Sequence, residues 1–280
     1  VPLSTPVEDR PEALLGDGGM MGSRYTRTLR LFWGASIAAE MEYRLNFLLA
    51  AITSLGNLVG SLFALSLFYN NGMDLGGWRW EEAIVVMGLA VFMEGFTSTF
   101  LRPNVGRIVQ HVREGTLDFV LLKPIDTQFW LSLRNLSLWG VPNLLYGVLV
   151  VIYGGRCLGL ALSDFARGVI PLLIGLVVLY CIWFMLSTMS IWFVKVHNLT
   201  GLLRGLLEAG RYPTPAYPAA YQIVFTFVIP VTFLTTVPAA AIVGRNSASI
   251  WAALTLAGVL CLLSRAFWRL AMRFYSSASS

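Results

Sequence analysis

Apolar runs of membrane length alternate with short polar segments along almost the whole chain. Six runs stand out, at about 45–69, 82–101, 129–153, 168–194, 222–243 and 249–270. A helix needs roughly 20 such residues to cross the hydrocarbon core of a bilayer, so each run fits one pass. The pattern predicts an all-α membrane protein of six transmembrane helices within residues 45–272. A transmembrane barrel would show dyad alternation in segments of about ten residues, and the sequence lacks it. Ahead of the first run, Leu29, Phe32, Trp33, Ile37 and Met41 form a helical stripe in residues 25–44, which predicts an amphipathic helix lying in the interface. Residues 1–24 are rich in Pro, Gly and acid and read as a disordered tail; Met20 and Met21 leave open an internal natural start. Residues 273–280 form a second tail.

Two places break this rhythm. The fifth run carries Pro230 and Pro238 and follows the cluster Tyr212–Tyr217, YPTPAY, closed by Pro218. A plain span is the expectation there, with a re-entrant segment as the alternative; Pro213, Pro218, Pro230 and Pro238 are then candidate gate positions. The second place is the polar island from Arg102 to Asp126. Val105, Ile108, Val109 and Val112 recur at the i, i+3, i+4, i+7 spacing of one helix face, and Arg107, Gln110, His111, Arg113 and Glu114 occupy the other. Pro103 stands ahead of the start and Gly115 where a C-cap glycine belongs. A helix over 104–114 that hangs between two spans either docks on something beyond the bilayer or floats in the interface; periodicity alone leaves both open. A second short amphipathic helix is expected around Leu202–Glu208.

Composition agrees with the membrane reading. Of the 280 residues 56% are hydrophobic and 12% charged, against roughly 25% charged in soluble domains, and the mean hydropathy is +0.69. The net charge of +5 is modest, but its placement is informative. Sixteen of the twenty Lys and Arg fall in 1–44, 102–134, 195–221 and 264–280; the other four are Arg79, Arg156, Arg167 and Arg245. The positive-inside rule then puts both termini and the polar island in the cytoplasm. The basic residues edge the spans and form no nucleic-acid surface. Cys157, Cys181 and Cys261 match no metal or disulfide spacing and read as small hydrophobes.

Candidate chemistry is sparse. The chain has no GxxxxGK[ST] to cradle phosphates and no HExxH, so no enzyme and no cofactor are expected in this chain. Glu94 is the informative charge, because a carboxylate inside a span is costly and faces protein or water. The structural expectation is a pair between Glu94 and Arg134; the functional one is a polar group on a pathway. Asn57, Asn135 and Asn143 are expected to make interhelical hydrogen bonds. Gly56 and Gly60 form a small-xxx-small pair that admits a close helix neighbour.

Taken together, the string REGTLDFVLLKPI at Arg113–Ile125, the Tyr-Pro pairs at 212–213 and 217–218, and the Ile229-Pro230 and Pro238-Ala239 steps resemble the permease subunit of a bacterial type-2 ABC exporter. The resemblance covers about residues 25–275 and is nearest to a branch of separately encoded half-transporters. It implies a protein of the bacterial inner membrane that works beside a second permease, identical or related, with two copies of an ATPase subunit holding MgATP. It implies further that helix 104–114 is a coupling helix, whose ridge Val105, Ile108, Val109 and Val112 enters a groove of the ATPase while Arg107, Gln110, His111, Arg113 and Glu114 line its rim. The rival readings are a membrane scaffold or assembly factor, and an ion-coupled carrier that uses Glu94.

Overall fold

The computed structural model describes residues 18–41, 44–73, 75–123, 125–193, 205, 208–245 and 250–275. Among these, five helices are long and apolar enough to cross a membrane, and one further pair is sharply bent. α1 (Gly18–Glu40) precedes α2 (Arg44–Asn70). α3 (Trp80–Phe96) continues through a π-helical turn, Thr97–Leu101, into α4 (Arg102–Glu114). One rod of 35 residues therefore stands where a span and a separate island helix were expected. α5 (Leu117–Leu121) and α6 (Thr127–Leu133) are short, and α7 (Val141–Cys157) and α8 (Leu162–Thr188) follow. The chain ends with α9 (Ala219–Ile223) and its π-turn Val224–Val228, α10 (Thr236–Val243) and α11 (Ile250–Phe274). The segment Leu202–Glu208, expected to be amphipathic, lies mostly outside the described residues.

α3 is the centre of the bundle. Every residue from Glu82 to Val91 is buried, which suits a helix that is apolar on all sides. α7 packs on it along a seam of glycines. A Cβ on Gly95 would come within 2.4 Å of the Leu144 nitrogen, and one on Gly147 within 2.5 Å of the Phe92 nitrogen. Backbones that close gain dispersion contact along the seam, the main attraction between helices in lipid. The Gly56/Gly60 pair, by contrast, has nothing within 4 Å of its Cβ positions among the described residues.

The third apolar run is not one helix, because Asn104 interrupts it. Its Nδ2 donates to the Asn135 carbonyl at 2.6 Å and its Oδ1 accepts the Asn135 N–H at 2.7 Å. A side chain thus satisfies the backbone groups that a continuing helix would have paired. Arg134 falls at this break, and its guanidinium stacks over Trp130 at 4.9 Å. The neighbouring π-turn has a related cause. Pro103 has no N–H for the Thr99 carbonyl four residues back, and that carbonyl takes the Ser137 N–H instead, at 3.0 Å.

The fifth run also departs from a plain span. Residues 219–228 and 231–243 are bent by 74° about Ile229 and Pro230. Gln222 reaches back to the carbonyls of Pro215 and Tyr217, and Pro215 lies against Gly76. On the return limb, Phe233 and Leu234 pass Gly175 in mid-α8, Ile242 passes Gly168, and Arg245 meets Glu82 at 3.1 Å and the Gly77 carbonyl. The hairpin enters and leaves at the Gly76 end of the bundle, so it is re-entrant. Before it, Trp192 stacks on Phe267 and Phe274 at the opposite, α4 end, whereas Tyr212 stacks on Phe68 near Gly76. Trp192 and Tyr212 therefore lie at opposite ends of the bundle, whereas the hairpin of 219–243 begins and finishes at one end. α1 stays at the α4 end, where Trp33 Nε1 donates to the Leu133 carbonyl at 3.0 Å and Glu40 accepts the Leu138 N–H.

Replacing Gly95 or Gly147 by Val is expected to cost about 1–3 kcal/mol through overpacking. Thermal melts of the detergent-purified chain read this directly, and Gly56→Ala, on an open face, should leave the melt unchanged.

Candidate functional site

α4 has two unlike faces. Val105 and Ile108 are fully buried and join a core with Leu117, Val120 and Trp130; Val109 is buried and Val112 packs at the margin. The ridge expected to enter a partner's groove is thus already covered by the chain's own residues. Arg107, Gln110, Arg113 and Glu114 are exposed, with Gln110 donating to Glu114 at 2.7 Å. His111 is half-buried, its Nδ1 2.8 Å from the Thr116 hydroxyl.

The helix stops because Gly115 takes a left-handed turn, φ 65°. The Thr116 N–H closes back on the His111 carbonyl at 3.0 Å and the Gly115 N–H on that of Val112, the paired bonds of a Schellman cap. The chain then turns into α5 and leaves Phe119 and Leu122 standing 69% and 81% exposed. An elbow results, with a charged helix face and two bare apolar side chains at its tip. Asp126 secures its return. The carboxylate caps α6 by accepting the Phe129 N–H at 2.9 Å and pairs with Arg265 on α11 at 2.8 Å. The Arg265 hydrogen bond, with the Phe129 N–H, holds the Asp126 carboxyl below the usual carboxylate range despite partial burial.

The second feature lies along the same rod, about two and a half turns from Pro103. Glu94 pairs with Arg211 at 3.0 Å, and Arg211 also donates to Ser61 on α2. The expected partner, Arg134, is instead at the α6–α7 break over Trp130. Arg102 and Glu208 line the same small cavity, about 30 Å³, with Thr97 and Thr235. That is room for a water or two. Two carboxylates and two guanidiniums thus line one cavity between α3 and the turn of the re-entrant hairpin.

The remaining sequence candidates are scattered. Asn57 is exposed on α2, Asn143 is half-buried on α7, and Asn135 serves the α6–α7 break. Pro230 sits at the hairpin turn, Pro238 in the first turn of α10, Pro218 caps α9, and Pro213 is buried beside Thr214. Asn104, Arg211, Phe119 and Leu122 carry the two features, and sequence reading passed over them. Asn104 follows a proline, a signal that marks it, whereas Arg211 reads from sequence as one loop cation among several. Cys181 and Cys261, distant in sequence, face each other at 3.5 Å between α8 and α11.

Residues 55–279 match a family model described as ABC-2 family transporter protein. No curated protein and no solved structure matches the chain.

Exchanging the charges tests the Glu94–Arg211 pair. Glu94→Arg and Arg211→Glu should each lower thermal stability in detergent, and the double exchange should recover part of the loss, with a coupling of about 0.5–3 kcal/mol. Strictly additive losses would mean that the two side chains do not interact.

Proposed function

The chain belongs to the ABC-2 transporter family, as a multi-pass membrane component of a kind that works with ABC ATPases, and from that premise we propose that it is the translocating subunit of an ATP-driven exporter in a bacterial inner membrane. In this reading α4, α5 and both described ends of the chain face the cytoplasm, following the excess of Lys and Arg there. Two permease chains, identical or related, associate in the membrane above two copies of an ATPase subunit. The open Gly56/Gly60 face of α2 is the natural place for the second permease, since small residues let helices close up in lipid.

The observation that carries the proposal is the overshooting rod. At 1.5 Å per residue, the 35 residues from Trp80 to Glu114 span about 52 Å, against a hydrocarbon core of about 30 Å. Roughly 20 Å of rigid helix therefore projects beyond the core and ends in the elbow. The docking surface we propose is the exposed face of Arg107, Gln110, Arg113 and Glu114 together with Phe119 and Leu122. Apolar anchors within a polar rim are the usual anatomy of a protein interface. Val105, Ile108 and Val109 act from inside, holding the elbow to the bundle so that it cannot move independently.

The mechanism follows from that rigidity. A displacement of the elbow by the partner's ATP cycle passes along the rod to Glu94 and Arg211, where α3 meets the re-entrant hairpin. Each nucleotide state of the partner must favour one arrangement of this contact for transport to be driven. Glu94 serves here as the ion-pair partner of Arg211.

Affinity purification in mild detergent should recover an ATP-hydrolysing subunit in equal copy number with this chain. Phe119→Asp combined with Arg113→Glu should cut that recovery about tenfold or more while leaving the chain's own melt intact. Unchanged recovery from the double variant would remove the elbow as the docking surface.

A further inference from the structure

At the Gly76 end, α3, α7 and α8 part to form a groove of about 540 Å³, within the size range of small-molecule sites. Its walls are apolar along their whole length: Phe92 on α3, Val148 and Ile152 on α7, Phe165 and Val169 on α8, with Ile242 of the re-entrant hairpin at the floor. Val148, Ile152 and Val169 are exposed, so the groove opens sideways to the surroundings of the bundle. From Leu162 to Leu172 the α8 wall runs about 15 Å along the helix axis, the scale of a good part of one acyl chain.

One charge stands at its mouth. Arg156, in the last turn of α7, lines the groove and is exposed. Its guanidinium has no ion-pair or hydrogen-bond partner among the described residues. The neighbouring Arg167 differs, since Asp164 pairs with it, and Asp164 spends its other oxygen on the Ala161 N–H at 2.8 Å. The groove's lining therefore holds an exposed, uncompensated planar cation beside apolar walls, a combination suited to bidentate phosphate recognition.

We propose that this groove is a binding site for an anionic phospholipid, one acyl chain lying between α7 and α8 and the phosphate on Arg156. Charge complementarity selects the occupant: a hydrocarbon tail alone has no use for the guanidinium, and a free phosphate has none for the slot. Because Ile242 forms the floor and also abuts Gly168, the lipid touches the outer limb of the re-entrant hairpin and steadies it. The proposal concerns the groove alone and stands whether or not the elbow binds an ATPase.

The test uses the full chain purified in mild detergent, with native mass spectrometry and lipid extraction. The wild-type chain should retain one phosphatidylglycerol per chain from a mixed phosphatidylglycerol and phosphatidylcholine bilayer. Arg156→Gln should reduce that retention about tenfold, since a charge-assisted bidentate contact is lost. Val169→Trp, which fills the slot from an exposed position, should reduce it without touching the charge. Arg167→Gln, equally close to the surface, should retain the lipid. Equal retention of phosphatidylcholine, or retention unaffected in both groove variants, would overturn the proposal. Protection of the chain by inorganic phosphate as strong as by the lipid would overturn it too, reducing the site to an anion contact.

Discussion

The architecture depends on one helix being locked on all sides. α3 is buried from Glu82 to Val91, and at Gly95 and Gly147 the α7 backbone approaches closer than any side chain would allow. Lipid supplies no hydrophobic drive between helices, so this close contact must be won by packing. The consequence is a helix that cannot tilt without carrying its neighbours. Everything attached to it, the elbow at one end and Glu82 with Arg245 at the other, inherits that fixed position.

Along this rod the structure places its irregularities where motion or contact would be useful. The π-turn at Thr97–Leu101 separates the membrane part of the rod from α4, and such turns concentrate at functional sites. Glu94 and Arg211 lie just above it and the Asn104–Asn135 clasp just below. The re-entrant hairpin rests on the first of these and the α6–α7 break on the second. A push on the elbow would therefore reach both within a few residues of the turn. The burial of Val105 and Ile108 matters in the same way, since a loosely hinged elbow would absorb the push.

Much of this was legible from periodicity and charge alone. Long apolar runs announced helices where α2, α3, α8 and α11 stand, because a membrane helix must satisfy its own backbone along its full length. α8 nevertheless starts and ends six residues earlier than the expected run. The amphipathic pattern of α4 and its Gly115 cap were equally plain. What periodicity could not say is which partner the apolar face would find, and that partner is the chain's own core. The breaks escaped for a different reason. The 134–137 interruption depends on Asn104, thirty-one residues away from Asn135, and the Glu94 partner on Arg211 at a separation of 117. No local window contains either pair. The bend at Ile229 and Pro230 was visible as a proline, but whether it kinked a span or turned a hairpin was decided by Arg245 and Pro215, both back at the Gly76 end.

We propose that the exposed face of the elbow, and not its apolar ridge, receives the ATPase. Photocrosslinking in native membranes tests it most directly, with a benzophenone amino acid placed singly at Arg113, Phe119, Ile108 and Leu162. Adducts with an ATP-hydrolysing subunit are expected from Arg113 and Phe119, and none from Leu162 at the opposite end of the bundle. Adducts from Ile108 in a chain that melts normally, or an ATPase that co-purifies yet gives no adduct from the elbow, would contradict it.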